Sequence, residues 1–160
     1  MKFSSQEEFG LRCLVQLARS APESLTIAEL AQAQGITVPN VAKILRVLRT
    51  GGLVRSTRGQ AGGYSLARAA EQISMREALA VLGGRIFDAS FCDRHAGIEA
   101  LCLNMGDCSI RPVLRQVQDA IDQVLSQLTL KSLVASEREV AAVAFHSRAI
   151  PLPLPLTGRS

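Results

Sequence analysis

Apolar residues recur along the first fifty positions at intervals of three and four, the period of helices with one buried face. Phe9, Cys13 and Leu17 stand four apart, and Leu11, Leu14, Val15 and Ala18 widen that face. A helix is therefore expected from about residue 5 to 19, closed by Ala21-Pro22-Glu23-Ser24. Thr26 followed by Glu29 makes a capping box for a second helix, which stops at Gly35. Thr37 caps a third, with Pro39 in the first turn where a missing N–H is harmless, and Gly51-Gly52 ends it. Two helices of about nine and thirteen residues joined by a glycine-containing turn have the form of a helix-turn-helix.

The pattern then changes. Leu53 to Ser56 and Tyr64 to Leu66 are short β-runs around a glycine-rich turn, a hairpin that reads as the wing of a winged helix. Ser74 and Glu77 form a second capping box, opening a helix to about Leu82 before Gly83-Gly84. A loop follows from about 84 to 109, long enough to suggest a function of its own. Ser109 starts the longest helix, where Ile110, Val113, Leu114, Val117, Ile121, Val124, Leu125 and Leu128 make an apolar stripe of nearly three heptads. Such a stripe in a small protein suits pairing with a second copy. From about 136 the chain turns Ala-rich and ends in Pro151-Leu152-Pro153-Leu154-Pro155-Leu156, which reads as a flexible tail.

This order defines a mainly α protein with a small β-wing. Residues 1–82 form a winged helix-turn-helix domain, 83–109 a cysteine-containing loop, 110–134 a dimerisation helix region and 135–160 the tail. The 160 residues carry no tryptophan, so Leu, Val, Ile and Ala must build the core. Of the net charge of +4, residues 1–68 hold nine Lys/Arg against four Glu, and the remainder nine against ten acids. The excess positive charge thus lies in the half with the helix-turn-helix, where a phosphate-binding surface is expected. On the third helix Val41, Ile44, Leu45 and Leu48 share one arc, while Pro39, Asn40, Lys43, Arg46 and Thr50 fall on the other side. Lys and Arg bond phosphates or guanine edges and Asn reads adenine, so this face suits a major groove. In the wing Arg58, Gly59, Gln60 and Tyr64 are the candidate contacts, with Arg58 at the tip placed to enter a minor groove. The hairpin lacks the Gly-Lys-Ser/Thr ending of a nucleotide-binding loop.

Met1 to Glu8 turns acidic where a secretory signal would be apolar, and no apolar run approaches a membrane span, so a cytoplasmic setting without a membrane partner is expected. Cysteines there are ligands or redox thiols more often than structural disulfides. Cys92, Cys102 and Cys108 crowd the long loop. Three thiolates suit an iron-sulfur cluster, of the 4Fe-4S or 2Fe-2S type; with His95 the set is also complete for tetrahedral zinc. A metal-free switch in which Cys102 and Cys108 form a disulfide is a third option. Cys13, on an apolar helix face, is a core residue.

Taken together, Ser4, Leu11-Arg12, Lys43-Ile44-Leu45, Leu48, Gly52-Leu53-Val54 and the wing Arg58-Gly59 with Gly62-Gly63-Tyr64-Ser65-Leu66-Ala67-Arg68 resemble the Rrf-type winged helix-turn-helix transcription regulators, the family of IscR and NsrR. The resemblance covers about residues 1 to 134, and the wing is its specific part. It implies a homodimer on a palindromic duplex and a cluster held by Cys92, Cys102 and Cys108 that reports nitric oxide, redox stress or iron-sulfur status. It also implies Glu8 of the partner subunit as a further ligand. In one branch of the family that ligand is a His three residues past the third cysteine, where this chain has Arg111. The chain departs from the usual even spacing: nine residues separate Cys92 from Cys102, and five separate Cys102 from Cys108. A metal-binding protein whose winged helix contacts protein is the competing function. No nucleophile-base pair, paired carboxylates or nucleotide loop points to an enzyme.

Overall fold

In the computed structural model the described residues are 3–59, 62–85, 87–88, 91–94, 104, 106–135 and 137–146. Helix α1 (Ser5–Ser20) opens with a capping box additional to those expected: Ser4 Oγ accepts the Glu7 N–H at 3.2 Å while the Glu7 carboxylate accepts the Ser4 N–H at 2.7 Å. Helix α2 (Ile27–Gln34) carries the expected box, Thr26 with Glu29, and ends at Gly35 with φ of 63°. Helix α3 (Val38–Thr50) starts after Thr37 as expected, but the Thr37 side chain makes no capping bond.

Strands β1 (Val54–Thr57) and β2 (Gly63–Leu66) pair antiparallel, Val54 opposite Leu66 and Thr57 opposite Gly63, each running one residue beyond its expected limit toward the turn. Leu25 joins β2 as a one-residue bridge. Its N–H donates to the Tyr64 carbonyl at 2.9 Å, and the Tyr64 N–H donates to the Leu25 carbonyl at 2.7 Å. Gly63 permits this approach, since a Cβ there would lie 2.8 Å from the Leu25 carbonyl oxygen. The wing is thereby tied to the segment between α1 and α2.

Helix α4 (Met75–Leu82) begins at Ser74, whose hydroxyl accepts the Glu77 N–H at 3.2 Å. The box expected there does not close, because the Glu77 carboxylate is paired with the Arg68 guanidinium. A charged donor outcompetes a neutral amide for a carboxylate. Within the long loop a short helix, α5 (Phe91–Arg94), carries Cys92. Helix α6 (Ile110–Ser126) is the long one, about 25 Å for its 17 residues.

The stripe expected to reach Leu128 stops at the end of α6. Leu128 lies beyond it, its carbonyl accepting the Met75 N–H at 2.8 Å, and the Leu130 N–H donates to the Ile73 carbonyl at 2.8 Å. Leu130 is wholly buried in one core with Cys13, Leu14, Leu17, Leu45, Leu48 and Ile73. After α6 the chain therefore returns to the winged-helix unit, and the 3₁₀ turn Lys131–Val134 packs on α1.

Within the segment expected as a tail, residues 137–146 form helix α7 (Glu137–His146), which packs on that turn. Its Ala-rich sequence favours helix, and Glu137 and Glu139 in the first turn complement the helix dipole. The alternating prolines from 151 lie outside the described residues. Among the described residues no helix is long and apolar enough to cross a membrane.

Leu130 gives a direct check that the segment after α6 belongs to the core. Leu130→Ala should destabilise the protein by about 2–5 kcal/mol, the usual cost of emptying a closed leucine site. Urea unfolding followed by circular dichroism measures it; a loss below about 0.5 kcal/mol would detach Leu130 from the core.

Candidate nucleic-acid interface and cysteine loop

Helix α3 divides as its pattern requires. Val41, Ile44, Leu45 and Leu48 are buried, whereas Pro39, Asn40, Lys43 and Arg46 are exposed. The exposed side also holds Val38 and Arg49, which periodicity alone leaves at the margins of the outward arc; Val38 is 51% exposed on the first turn. Among the described residues Lys43, Arg46, Arg49 and Arg58 enter no ion pair. Their cationic heads are thus available to an external anion.

The turn angle between α2 and α3 is anchored from α1. The Arg12 guanidinium donates to the Gln34 carbonyl at the end of α2 and, at 3.2 Å, to the Gln34 side chain. The Gln34 amide in turn donates to Gln16 at 3.2 Å.

In the wing Arg58 and Gly59 are exposed, Gly59 with φ of 118°, while Gln60 lies outside the described residues. Tyr64 is the other expected wing contact. It is half-buried and packs against the core, opposite Ser56 in the ladder and tied through its backbone to Leu25. Tyr64 therefore seats the wing. Arg55 is held across the strands by Ser65 Oγ at 3.2 Å.

Of the expected metal ligands, Cys92 on α5 and Cys108 just before α6 are free, half-buried thiols, and Cys102 and His95 lie outside the described residues. Among the described residues no three His, Cys, Asp or Glu side chains come together to hold a metal. Glu8 is exposed on the first turns of α1, 3.7 Å from the Arg12 guanidinium. The donor chemistry at Cys92 and Cys108 fits a soft metal or cluster, and the described part of one chain does not complete the set. An open pocket of about 600 Å³ borders Cys108, with Asp107, Arg111, Arg115 and Asp119 in its walls.

The stripe on α6 is split lengthwise. One flank, through Gln118 and Asp122, faces α4 and the entrance to the cysteine loop. On the other, Ile110, Val113, Val117 and Val124 are 63, 58, 43 and 40% exposed. With Ala120 they repeat at intervals of three and four, the spacing of a helix-pairing seam. Alongside runs a groove of about 710 Å³ between α4, α6 and the start of α1, with Phe3, Leu79 and Val124 among its walls.

A helix-turn-helix with a basic outward helix, a wing behind it and a long helix with an uncovered apolar seam define a winged-helix DNA-binding regulator. Comparison with known proteins places it further. Residues 3–136 match the Rrf2 family, described as iron-dependent transcriptional regulators, and the chain belongs to that family. It is 34% identical over 152 residues to an HTH-type transcriptional regulator of Mycobacterium tuberculosis, covering 93% of this chain and 92% of that one. The fold is similar to the solved structure of CymR, the global cysteine regulator of B. subtilis, with a TM-score of 0.65 and 25% identity, covering 84% of this chain and 96% of that one. It is also similar to T. potens IscR, with a TM-score of 0.64 and 27% identity, covering 84% and 86%. These relatives are regulators and not enzymes.

Cys13 stands apart from the other thiols. Burial pushes it up from 9.0 to about 11, against a smaller opposing pull from Arg12, so it stays protonated and inert. A group whose folded pKa is raised contributes stability that is complete below its unfolded pKa and lost as pH rises through the folded one. Stability should therefore fall by about 2–3 kcal/mol between pH 9 and 11 on account of Cys13. Urea unfolding across that range, compared with Cys13→Ala, isolates the effect; an identical slope in both proteins would contradict it.

Proposed function

We propose that the chain is a homodimeric transcription regulator that reads a two-fold-symmetric duplex with α3 and the wing of each copy. The state of a group held by the cysteine loop adjusts that binding. The observation that carries this reading is the unpaired, outward basic face of α3 in a chain that belongs to a family of iron-dependent transcriptional regulators.

Lys43, Arg46 and Arg49 reach phosphates or guanine edges, and Asn40 reads adenine. Arg58, raised on the wing, enters the neighbouring minor groove. The seam Ile110, Val113, Val117 and Val124 brings two copies together, so that two α3 helices address two half-sites.

Cys92, Cys102 and Cys108 hold an iron-sulfur cluster, with Glu8 of the partner subunit as the additional ligand. Such a cluster, when bound, supplies a centre that nitric oxide, oxygen or a one-electron change can alter. The chain's own part is to supply thiolates at the mouth of α6 and a carboxylate at the start of α1. The ligand set then spans the subunits and ties the reading unit of one copy to the long helix of the other.

Fluorescence anisotropy on a duplex selected from a random-sequence pool tests the DNA surface. Lys43→Ala and Arg58→Ala should each weaken binding and lower the salt slope by about 1. Tyr64→Phe, with its ring still on the core, should leave the slope unchanged. Wild-type affinity for Lys43→Ala would remove α3 as the reader, and a monomer by sedimentation equilibrium would remove the two-half-site arrangement.

Protein purified without oxygen should show visible absorption and a Mössbauer signal that Cys92→Ala and Cys108→Ala abolish. A colourless protein holding zinc, or holding no metal, would overturn the cluster in favour of a zinc site or a thiol switch.

A further inference from the structure

Gln118 is the buried polar side chain of the described residues, 4% exposed, on the flank of α6 that faces the rest of its own chain. Its carboxamide is used at both ends. The Phe87 N–H donates to Gln118 Oε1 at 3.0 Å, and Gln118 Nε2 donates to Asp122 Oδ1 at 2.9 Å. The second oxygen of Asp122 receives Arg76 of α4 at 3.4 Å and also Arg85. Three pieces of chain thus meet at one side-chain pair: α6, α4, and the opening of the cysteine loop through Arg85 and Phe87. Phe87 in turn packs on Phe91, the rings tilted by 48° with centres 5.1 Å apart, and Phe91 directly precedes Cys92.

A buried amide is costly unless both its donor and acceptor are matched, so this arrangement has one satisfied state and tolerates little drift. Any displacement of Phe87 that follows movement at Cys92 must either carry Gln118 along or strand its oxygen. Moving Gln118 disturbs Asp122, and with it the grip on Arg76. Helix α4 lies against both α1 and α3. The junction is therefore a two-sided contact between the thiol segment and the support of the DNA-reading helix.

We propose that Gln118 is a positioning residue that couples the Cys92 segment to α4, and through α4 to α3. This rests on the assignment of the cysteine loop as sensor, and two independent measurements separate the two.

The first is residue-resolved amide hydrogen exchange on the full-length protein. Gln118→Met keeps the side-chain length and removes both hydrogen bonds. It should speed exchange at Phe87 and, several-fold, across Ala78 to Leu82 of α4. Gln118→Glu combined with Asp122→Asn restores an acceptor for Phe87 and a donor between the two side chains; it should return Phe87 to the wild-type rate and α4 part of the way, since the asparagine keeps one oxygen for Arg76 but not the carboxylate charge. Faster exchange at Phe87 with α4 unchanged would overturn the coupling.

The second is affinity for a duplex selected from a random-sequence pool, measured with and without Cys92→Ala. In the wild-type background Cys92→Ala should change affinity by about fivefold or more, the lower range of allosteric couplings. In Gln118→Met the ratio should collapse toward 1, and the paired variant should recover part of it. An undiminished ratio in Gln118→Met overturns the role of Gln118. A ratio of 1 in the wild-type background defeats the sensor assignment instead, and the exchange result then decides the junction alone.

Discussion

Burial of α1 is the constraint on which the other elements depend. Cys13, Leu14 and Leu17 lose essentially all contact with water, and α2, α3, α4, β2 and the 3₁₀ turn Lys131–Val134 all pack around that helix. Polar bonds then set the angles that apolar packing leaves free. Arg12 fastens the end of α2, and the Gln6 amide donates to the Leu82 carbonyl at the end of α4. Both satisfy carbonyls that a helix terminus would otherwise leave without a partner. The end of α2, ahead of the outward basic face of α3, and the end of α4, ahead of the cysteine loop, are thus both referred to one helix.

The elements most legible in the sequence are those with their own punctuation. Thr26, Glu29 and Gly35 bound α2 by local hydrogen bonds and one left-handed residue, and such signals do not depend on what the helix meets. The outward face of α3 was legible for a similar reason, since period 3.6 separates Lys43 and Arg46 from Leu45 and Leu48 whatever lies beneath. Periodicity identifies a face to be buried and is silent on its partner. The diversion of Glu77 from its cap to Arg68 is decided by a residue outside the helix, and the return of Leu130 to the core by residues distant in sequence. So too is Tyr64, whose place follows from Leu25, nearly forty positions earlier. At the candidate metal site the thiols were recognisable by type and crowding, but ligand identity depends on distances that spacing along a chain does not encode.

The apolar stripe of α6 shows how far this goes. As a sequence it is one surface; in the fold its flanks serve different neighbours. The residue that marks the divide is polar. Gln118, buried with both ends bonded, costs more to misplace than an aliphatic residue would, because a stranded amide loses about 1–3 kcal/mol against the 0.5–1.5 kcal/mol of a typical made bond. It fixes one flank of α6 against its own chain, and Ile110, Val113, Val117 and Val124 are left exposed.

Those four side chains alone make a weak seam. Full burial of each is worth about 1.5–3 kcal/mol, and roughly half of that remains to be gained where a residue is half-exposed. Four from each copy then contribute on the order of 6–12 kcal/mol, which is comparable to the 4–15 kcal/mol lost in translational and rotational freedom on association. A stable pair therefore needs apolar area beyond the seam. In the proposed dimer the adjoining groove is the area at hand, and Phe3, just before α1, and Glu7 in its first turn form part of its wall together with Val124 of α6. A second copy that covers the seam and the groove together comes to lie against the start of α1. That is where Glu8 must stand if its carboxylate is to reach the cysteines of the other subunit, so the energetic need for a wider interface and the proposed shared ligand set require the same docking.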